Sequence, residues 1–175
     1  MFNGNIVALV LISLVLMLAL RNVKLGLLSI IPNVAPVLVG FGLWWLYKGT
    51  INTGMVIVFG MTLGIIVDDT VHFMSKFLRA RRELGYTAQA AVVYAFETVG
   101  RALVTTTIVL IAGFAVLSTS PFALNSYMAR ITLIIITSAL IIDFLLLPAL
   151  LILVSGDKKE TVTSKTIAPQ MQLDK

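Results

Sequence analysis

Apolar residues fill this chain in long runs, and its polar residues fall in short clusters between them. The first run goes from about Asn5 to Leu20 and, with Met1 and Phe2 contributing, predicts a helix over about 2–20 that stops at Arg21-Asn22-Val23-Lys24. A second predicts a helix over 25–47, where Pro32 and Pro36 remove backbone donors and kink it or delay its regular start. Trp44, Trp45 and Tyr47 at its far end read as an interfacial aromatic belt. A third run predicts a helix over 51–77, ended by Lys76-Phe77-Leu78-Arg79-Ala80-Arg81-Arg82-Glu83. Gly85 breaks the pattern, and Thr87 is placed to cap a short, partly amphipathic helix over 87–97. Two more runs predict helices over 98–118 and 126–154, separated by the turn chemistry of Ser118-Thr119-Ser120-Pro121. A bilayer core of ~30 Å is crossed by roughly 20 residues rising ~1.5 Å each, so five of these helices are read as spans and the 87–97 helix as lying on the membrane surface.

The expectation is an all-α membrane protein: one transmembrane domain over 1–154, with five transmembrane helices and a short cytoplasmic surface helix, and a disordered cytoplasmic tail over 155–175. With no basic n-region and no small-residue cleavage site near it, the first run reads as a span and not as a removable signal peptide. Composition agrees. Hydrophobic residues make up 59% and charged residues 12% of the chain, where an ordinary globular domain is ~25% charged. The net charge of +5 does not point to nucleic acid, because the basic residues cluster at the ends of apolar runs, as topology signals do. Arg21, Lys24, Lys76, Arg79, Arg81, Arg82, Lys158, Lys159, Lys165 and Lys175 fall on one side of a five-span arrangement, whereas Lys48 and Arg130 fall on the other. This asymmetry predicts a multi-pass protein of the inner (plasma) membrane with its N-terminus outside and its C-terminus in the cytoplasm. The absence of cysteine excludes disulfides and thiolate metal sites.

The chemistry lies in the third helix. Asp68 and Asp69 sit side by side in an otherwise apolar span, where an ionised carboxylate costs several kcal/mol by even lenient scales. Lys76, the first basic residue after them, is about 12 Å further along, so they do not cap the helix end. Gly60, Gly64, Asp68, His72 and Lys76 form one slowly drifting stripe, and the two glycines would let a neighbouring helix approach closely. Adjacent carboxylates in a low dielectric do not both ionise easily, since desolvation and mutual repulsion each favour the neutral form, and a proton carrier needs that property. His72 either passes protons at the cytoplasmic exit or hydrogen-bonds in the headgroup region. Asp143, a third acid at membrane depth, either pairs with Arg101 or faces a cytoplasmic water crevice. Glu97 reads as a solvated charge.

Gly64-Ile65-Ile66-Val67-Asp68-Asp69-Thr70-Val71-His72-Phe73, then Gly100-Arg101-Ala102-Leu103-Val104-Thr105-Thr106-Thr107 with Gly113-Phe114 and Leu117-Ser118, and finally Leu147-Pro148-Ala149-Leu150-Leu151 resemble the RND superfamily. The resemblance is strongest to the MMPL-type predicted exporters, which are related to the sterol-sensing domain, and it covers about Ile6 to Val154. It implies half of an RND-type transmembrane bundle, matching the last five helices of one half, and proton-driven export of lipidic or hydrophobic molecules. Under it, Asp68 matches the relay acid, Asp69 falls where some branches carry a second acid, and Thr106 is the preferred hydrogen-bonding member of the threonine cluster facing the relay. It also implies, as partners, the lipid bilayer, a hydrophobic substrate, and a second half, an extracytoplasmic-domain subunit or further copies of the chain. The cofactor expected is none beyond a proton gradient.

A fragment or split subunit of such an exporter is therefore the first reading. The alternative is a stand-alone, sterol-sensing-like module that binds lipid or regulates. Enzyme catalysis is not expected: there is no nucleophile and base pair, no phosphate-binding glycine loop, and one histidine against any metal site.

Overall fold

The computed structural model describes residues 2–20, 23–48 and 53–155. The expected tail after Ser155, the start of the third span at Ile51 and the loop residue Arg21 lie outside the described residues. Among the described residues every regular element is helical and no strand occurs: α1 (Phe2–Leu20), α2 (Val23–Leu28), α3 (Ile30–Lys48), α4 (Thr53–Arg82), α5 (Ala88–Ala95), a π-helical turn (Phe96–Gly100), α6 (Arg101–Leu117) and α7 (Ala123–Ser155). Among the described residues, four segments are long and apolar enough to cross a membrane: Val23–Tyr47, Gly54–Arg82, Ala88–Leu117 and Ala123–Ser155. The expected count of five also included α1, a 19-residue helix lying against α2 and α4 that stands outside those four.

Two elements differ from the expected pattern for local reasons. The proline-bearing helix is interrupted at Ser29, ahead of Pro32. Pro32 has no N–H to give the Leu28 carbonyl and its ring crowds that group, so the path loosens there. The Ser29 hydroxyl, donating to Gly26 O at 2.7 Å, satisfies a carbonyl beside the break. Helix α4 continues to Arg82, five residues past the expected exit, because Arg79, Arg81 and Arg82 sit in its last turn, where positive charge complements the helix dipole. Gly85, at φ 67°, then reverses the chain in a conformation that disfavours a side chain.

Thr87 caps α5 as expected, its hydroxyl accepting from Ala90 N at 3.3 Å. The separate surface helix over 87–97 and span from 98, however, are one continuous helical segment, Ala88–Leu117. Nothing between them breaks a helix: there is no proline, and Gly100 keeps right-handed dihedrals. At ~1.5 Å per residue this rod is about 45 Å long, more than the ~30 Å of hydrocarbon, so one end extends beyond it. Its π turn brings the Phe96 ring against Phe73 of α4 at 4.8 Å and Phe144 of α7 at 5.1 Å between centroids.

Helix α7 is the centre of the bundle, packed against α3, α4, α5 and α6. Against α3 the approach is close enough that a Cβ on Gly40 would collide with Ile135 Cγ1. One turn further along α3, the Trp44 indole donates to Tyr127 Oη at 2.8 Å. The buried side chains form two apolar cores. One, at the tryptophan end, holds Val37, Trp44, Met55, Val58, Leu63, Ile66, Ile131, Ile135 and Ala139. The other, at the arginine end, holds Phe73, Met74, Phe77, Ala91, Ala95, Leu103, Leu147 and Leu151. The outside is apolar too: Leu145 and Leu153 of α7 are 71% and 79% exposed, which in water would be a liability and in lipid is ordinary solvation.

Candidate functional site

Helices α4 and α6 both pack on α7 but scarcely touch each other, and the space between them is an open groove of about 900 Å³. Only Leu103 and Thr107 of α6 are buried. In the most apolar stretch of Ala88–Leu117, 17% of the residues are buried, against 33% to 44% in the other three segments. One face of α6 therefore lacks a partner within the described residues.

From α4 the groove receives Met61, Gly64, Ile65, Asp68, Asp69 and His72; from the π turn and α6 it receives Val99, Ala102, Leu103, Thr105, Thr106, Val109 and Leu110. The helical period explains the α4 set, because steps of three and four from Met61 through Ile65, Asp68 and His72 stay on one side of the helix. The Asp68 carboxylate and His72 imidazole, one turn apart, lie 3.5 Å from each other with side chains 73% and 61% exposed. Asp69 is half-buried, turned further toward the bundle. Across the groove, Thr105 Oγ1 donates to Arg101 O at 2.8 Å, and Thr106 Oγ1 lies 3.0 Å from both Ala102 O and Leu103 O. These hydroxyls give their protons to their own helix and keep their lone pairs for a donor in the groove.

The structure thus brings Asp68, Asp69, His72 and Thr106 to one groove. Thr107, next in sequence, is buried and bonds to Leu103 O at 2.8 Å instead. Two expected arrangements are not formed among the described residues. Gly60 is exposed, and a Cβ on Gly64 would meet nothing within 4 Å, so no helix among the described residues approaches that stripe. Close approach occurs instead at Gly40, where α3 is pressed against Ile135 of α7. Nor do Arg101 and Asp143 pair. Arg101 opens α6 exposed, whereas Asp143 is 7% exposed on the inward side of α7 with Oδ1 bonded to nothing. No cluster of three or more histidine or acidic side chains suited to a metal ion occurs among the described residues.

The groove's apolar members, Met61, Ile65, Val99, Val109 and Leu110, were not singled out in the sequence. Once Asp68 is fixed, the period of α4 points to the first two. The α6 members depend on which helix stands opposite.

A sequence model of the MMPL family matches residues 1–170. The chain belongs to the MMPL family. No curated protein matches it in sequence. As an MMPL chain with four helices among its described residues long and apolar enough to cross a membrane, it is a multi-pass membrane protein and a membrane module of the RND transporter type. In this MMPL module the acidic pair lies within the membrane-crossing segment Gly54–Arg82, on the wall of an open groove.

Proposed function

We propose that this chain is the membrane half-bundle of a proton-coupled exporter of lipidic or hydrophobic molecules. The proton is carried at Asp68 and Asp69, and a second half-bundle closes the α4–α6 face. The observation that carries the reading is the meeting of two carboxylates, one imidazole and two threonine hydroxyls in a single groove midway along a membrane-crossing segment. Hydrocarbon against a carboxylate as open as Asp68 would cost several kcal/mol, so the groove faces protein or water, not lipid. A second half-bundle supplies such a cover and gives Gly64 the close neighbour it lacks within this chain.

In this mechanism Asp68 and His72 receive the proton from the groove, and the half-buried Asp69 holds it. Neutralising Asp69 removes a charge from the α4 surface and lets α4 repack against its neighbour, a two-state element biased by the proton. The arginine-rich end of α4 supports a cytoplasmic placement of that end.

The full chain, reconstituted in vesicles enclosing the pH-sensitive dye pyranine, tests this. An imposed pH gradient drives proton flux that Asp68→Asn with Asp69→Asn abolishes and Glu97→Gln, at an exposed residue outside the groove, leaves intact. Equal flux in the double variant overturns the role of the acids. The groove's apolar walls also favour a second reading, a lipid-binding module. Saturable binding of a fluorescent fatty acid, lost in Ile65→Trp, with no proton flux in the unaltered chain would establish that reading in place of transport.

A further inference from the structure

Several buried polar side chains of the bundle, Asn33, Thr70 and Asp143, lie between its two apolar cores. On α4, Ile66 belongs to one apolar core and Phe73 to the other, with Asp69 and Thr70 between them. On α7 the same division falls between Ala139 and Leu147, and Asp143 lies midway. Thr70 Oγ1 donates to Asn33 Oδ1 at 2.6 Å, which places Asn33 of α3 at this level as well. The two cores are thus separated by a polar seam.

Two members of that seam have unmet bonding capacity. Asn33 is 3% exposed with Nδ2 unbonded, and Asp143 is 7% exposed with Oδ1 unbonded. The helices packed on α7 bring Asp143 no bonded countercharge. Among the described residues, α3 offers Tyr47 only at its far end, and α4 offers His72 beside Asp68 and Lys76 about two turns beyond Asp69. Helix α5 offers Tyr94 in ring contact with Tyr86, the π turn offers exposed Glu97, α6 offers exposed Arg101, and α7 itself offers exposed Arg130. None bonds to Asp143. Asp69 on α4, between the same two cores, is of like sign. An unpaired carboxylate in such a place costs several kcal/mol, whereas a neutral carboxyl with an unmade hydrogen bond costs ~1–3 kcal/mol.

We infer that Asp143 is a second proton-holding carboxyl, placed behind Asp69, and that the two exchange one proton across the seam. The inference rests on the proton-coupled reading above and adds a residue to it. In the exchange the O–H bond at one carboxyl breaks as one forms at the other, the negative charge moves the opposite way, and no other reactant is consumed. Because Asp69 borders the groove and Asp143 lies within the bundle, the exchange moves charge between the α4–α6 face and the α4–α7 interface.

Asparagine has the shape of a neutral carboxyl and hydrogen-bonds like one, so a purely structural role survives Asp143→Asn and a proton-holding role does not. In the pyranine vesicles, Asp143→Asn is expected to slow flux roughly a hundredfold, the low end for removing a positioned proton carrier, and Asp143→Glu to restore most of it. Infrared spectra of the full chain should show a protonated-carboxyl stretch that Asp143→Asn removes. The pH at which this band vanishes should move when Asp69→Asn removes the neighbouring charge. Full flux in Asp143→Asn, absence of the band, or an unmoved midpoint overturns the inference. If Asp143→Asn keeps full flux while the Asp68, Asp69 double variant is dead, only this inference fails; if the double variant also keeps flux, the underlying reading fails.

Discussion

Asp68 and His72 face each other across one turn of α4, carboxylate to imidazole at 3.5 Å, with more than half of each side chain open to the groove. A pair so exposed adds little to folding, under about 1 kcal/mol. Its geometry suits proton capture, because an imidazole can take up a proton and hand it to an adjacent carboxylate. His72→Gln should therefore leave thermal unfolding in detergent nearly unchanged and slow pyranine-reported flux about tenfold, less than loss of an acid would. Unaltered flux would remove His72 from the path.

The Trp44–Tyr127 hydrogen bond ties α3 to α7 near one end of the bundle, with ring centroids 4.7 Å apart. Tyr127→Phe keeps the ring contact and removes the acceptor of a buried indole N–H. The expected loss is about 1–3 kcal/mol of stability, read as an earlier unfolding midpoint with a change in tryptophan emission.

Gly40 and Gly64 respond oppositely to the same substitution. Gly40→Val drives a side chain into Ile135 and should cost about 1–3 kcal/mol, seen as early unfolding. A Cβ at Gly64 meets nothing within 4 Å among the described residues, so Gly64→Val should leave unfolding nearly unchanged. It should still impair flux, and reduce self-association measured by cross-linking in vesicles, if a second half-bundle packs on that face. Normal association and flux in Gly64→Val would exclude such packing at the glycine.

The Thr70–Asn33 bond separates stability from proton movement. Thr70→Val alone leaves Asn33 Oδ1 without its donor beside an already unbonded Nδ2, costing about 1–3 kcal/mol. Asn33→Leu with Thr70→Val removes both partners and should recover most of that loss, an interaction a double-mutant cycle measures. If the seam carries protons, the double variant regains stability and not flux.

Much of the architecture was legible before folding was considered. Long apolar runs ended by Lys/Arg clusters mark membrane helices because hydrocarbon admits few charges, and Thr87 and Gly85 have local chemistry that caps and ends helices whatever surrounds them. Asp68 and Asp69 stood out for the same reason, as an energetic cost in an apolar span. The continuity of Ala88–Leu117 was less visible. Glu97 and the glycine at position 100 resemble a boundary in sequence, and the π turn that joins the two parts packs its Phe96 ring between Phe73 and Phe144, contacts that depend on the tertiary structure.

What the chain determined by itself is which segments are helical and which carry charge, since these depend on neighbours within a few residues. Which helix faces meet was decided by the tertiary structure. In water the period of 3.6 residues reveals a buried face, because the opposite face must be polar. In lipid both faces are apolar, and the helices carry no comparable mark. So the sequence marked Gly64 as a contact and left Asp143 between pairing with Arg101 and facing a water crevice. The folded bundle put Gly40 at the contact, left Gly64 on the groove, and enclosed Asp143 with one oxygen unbonded.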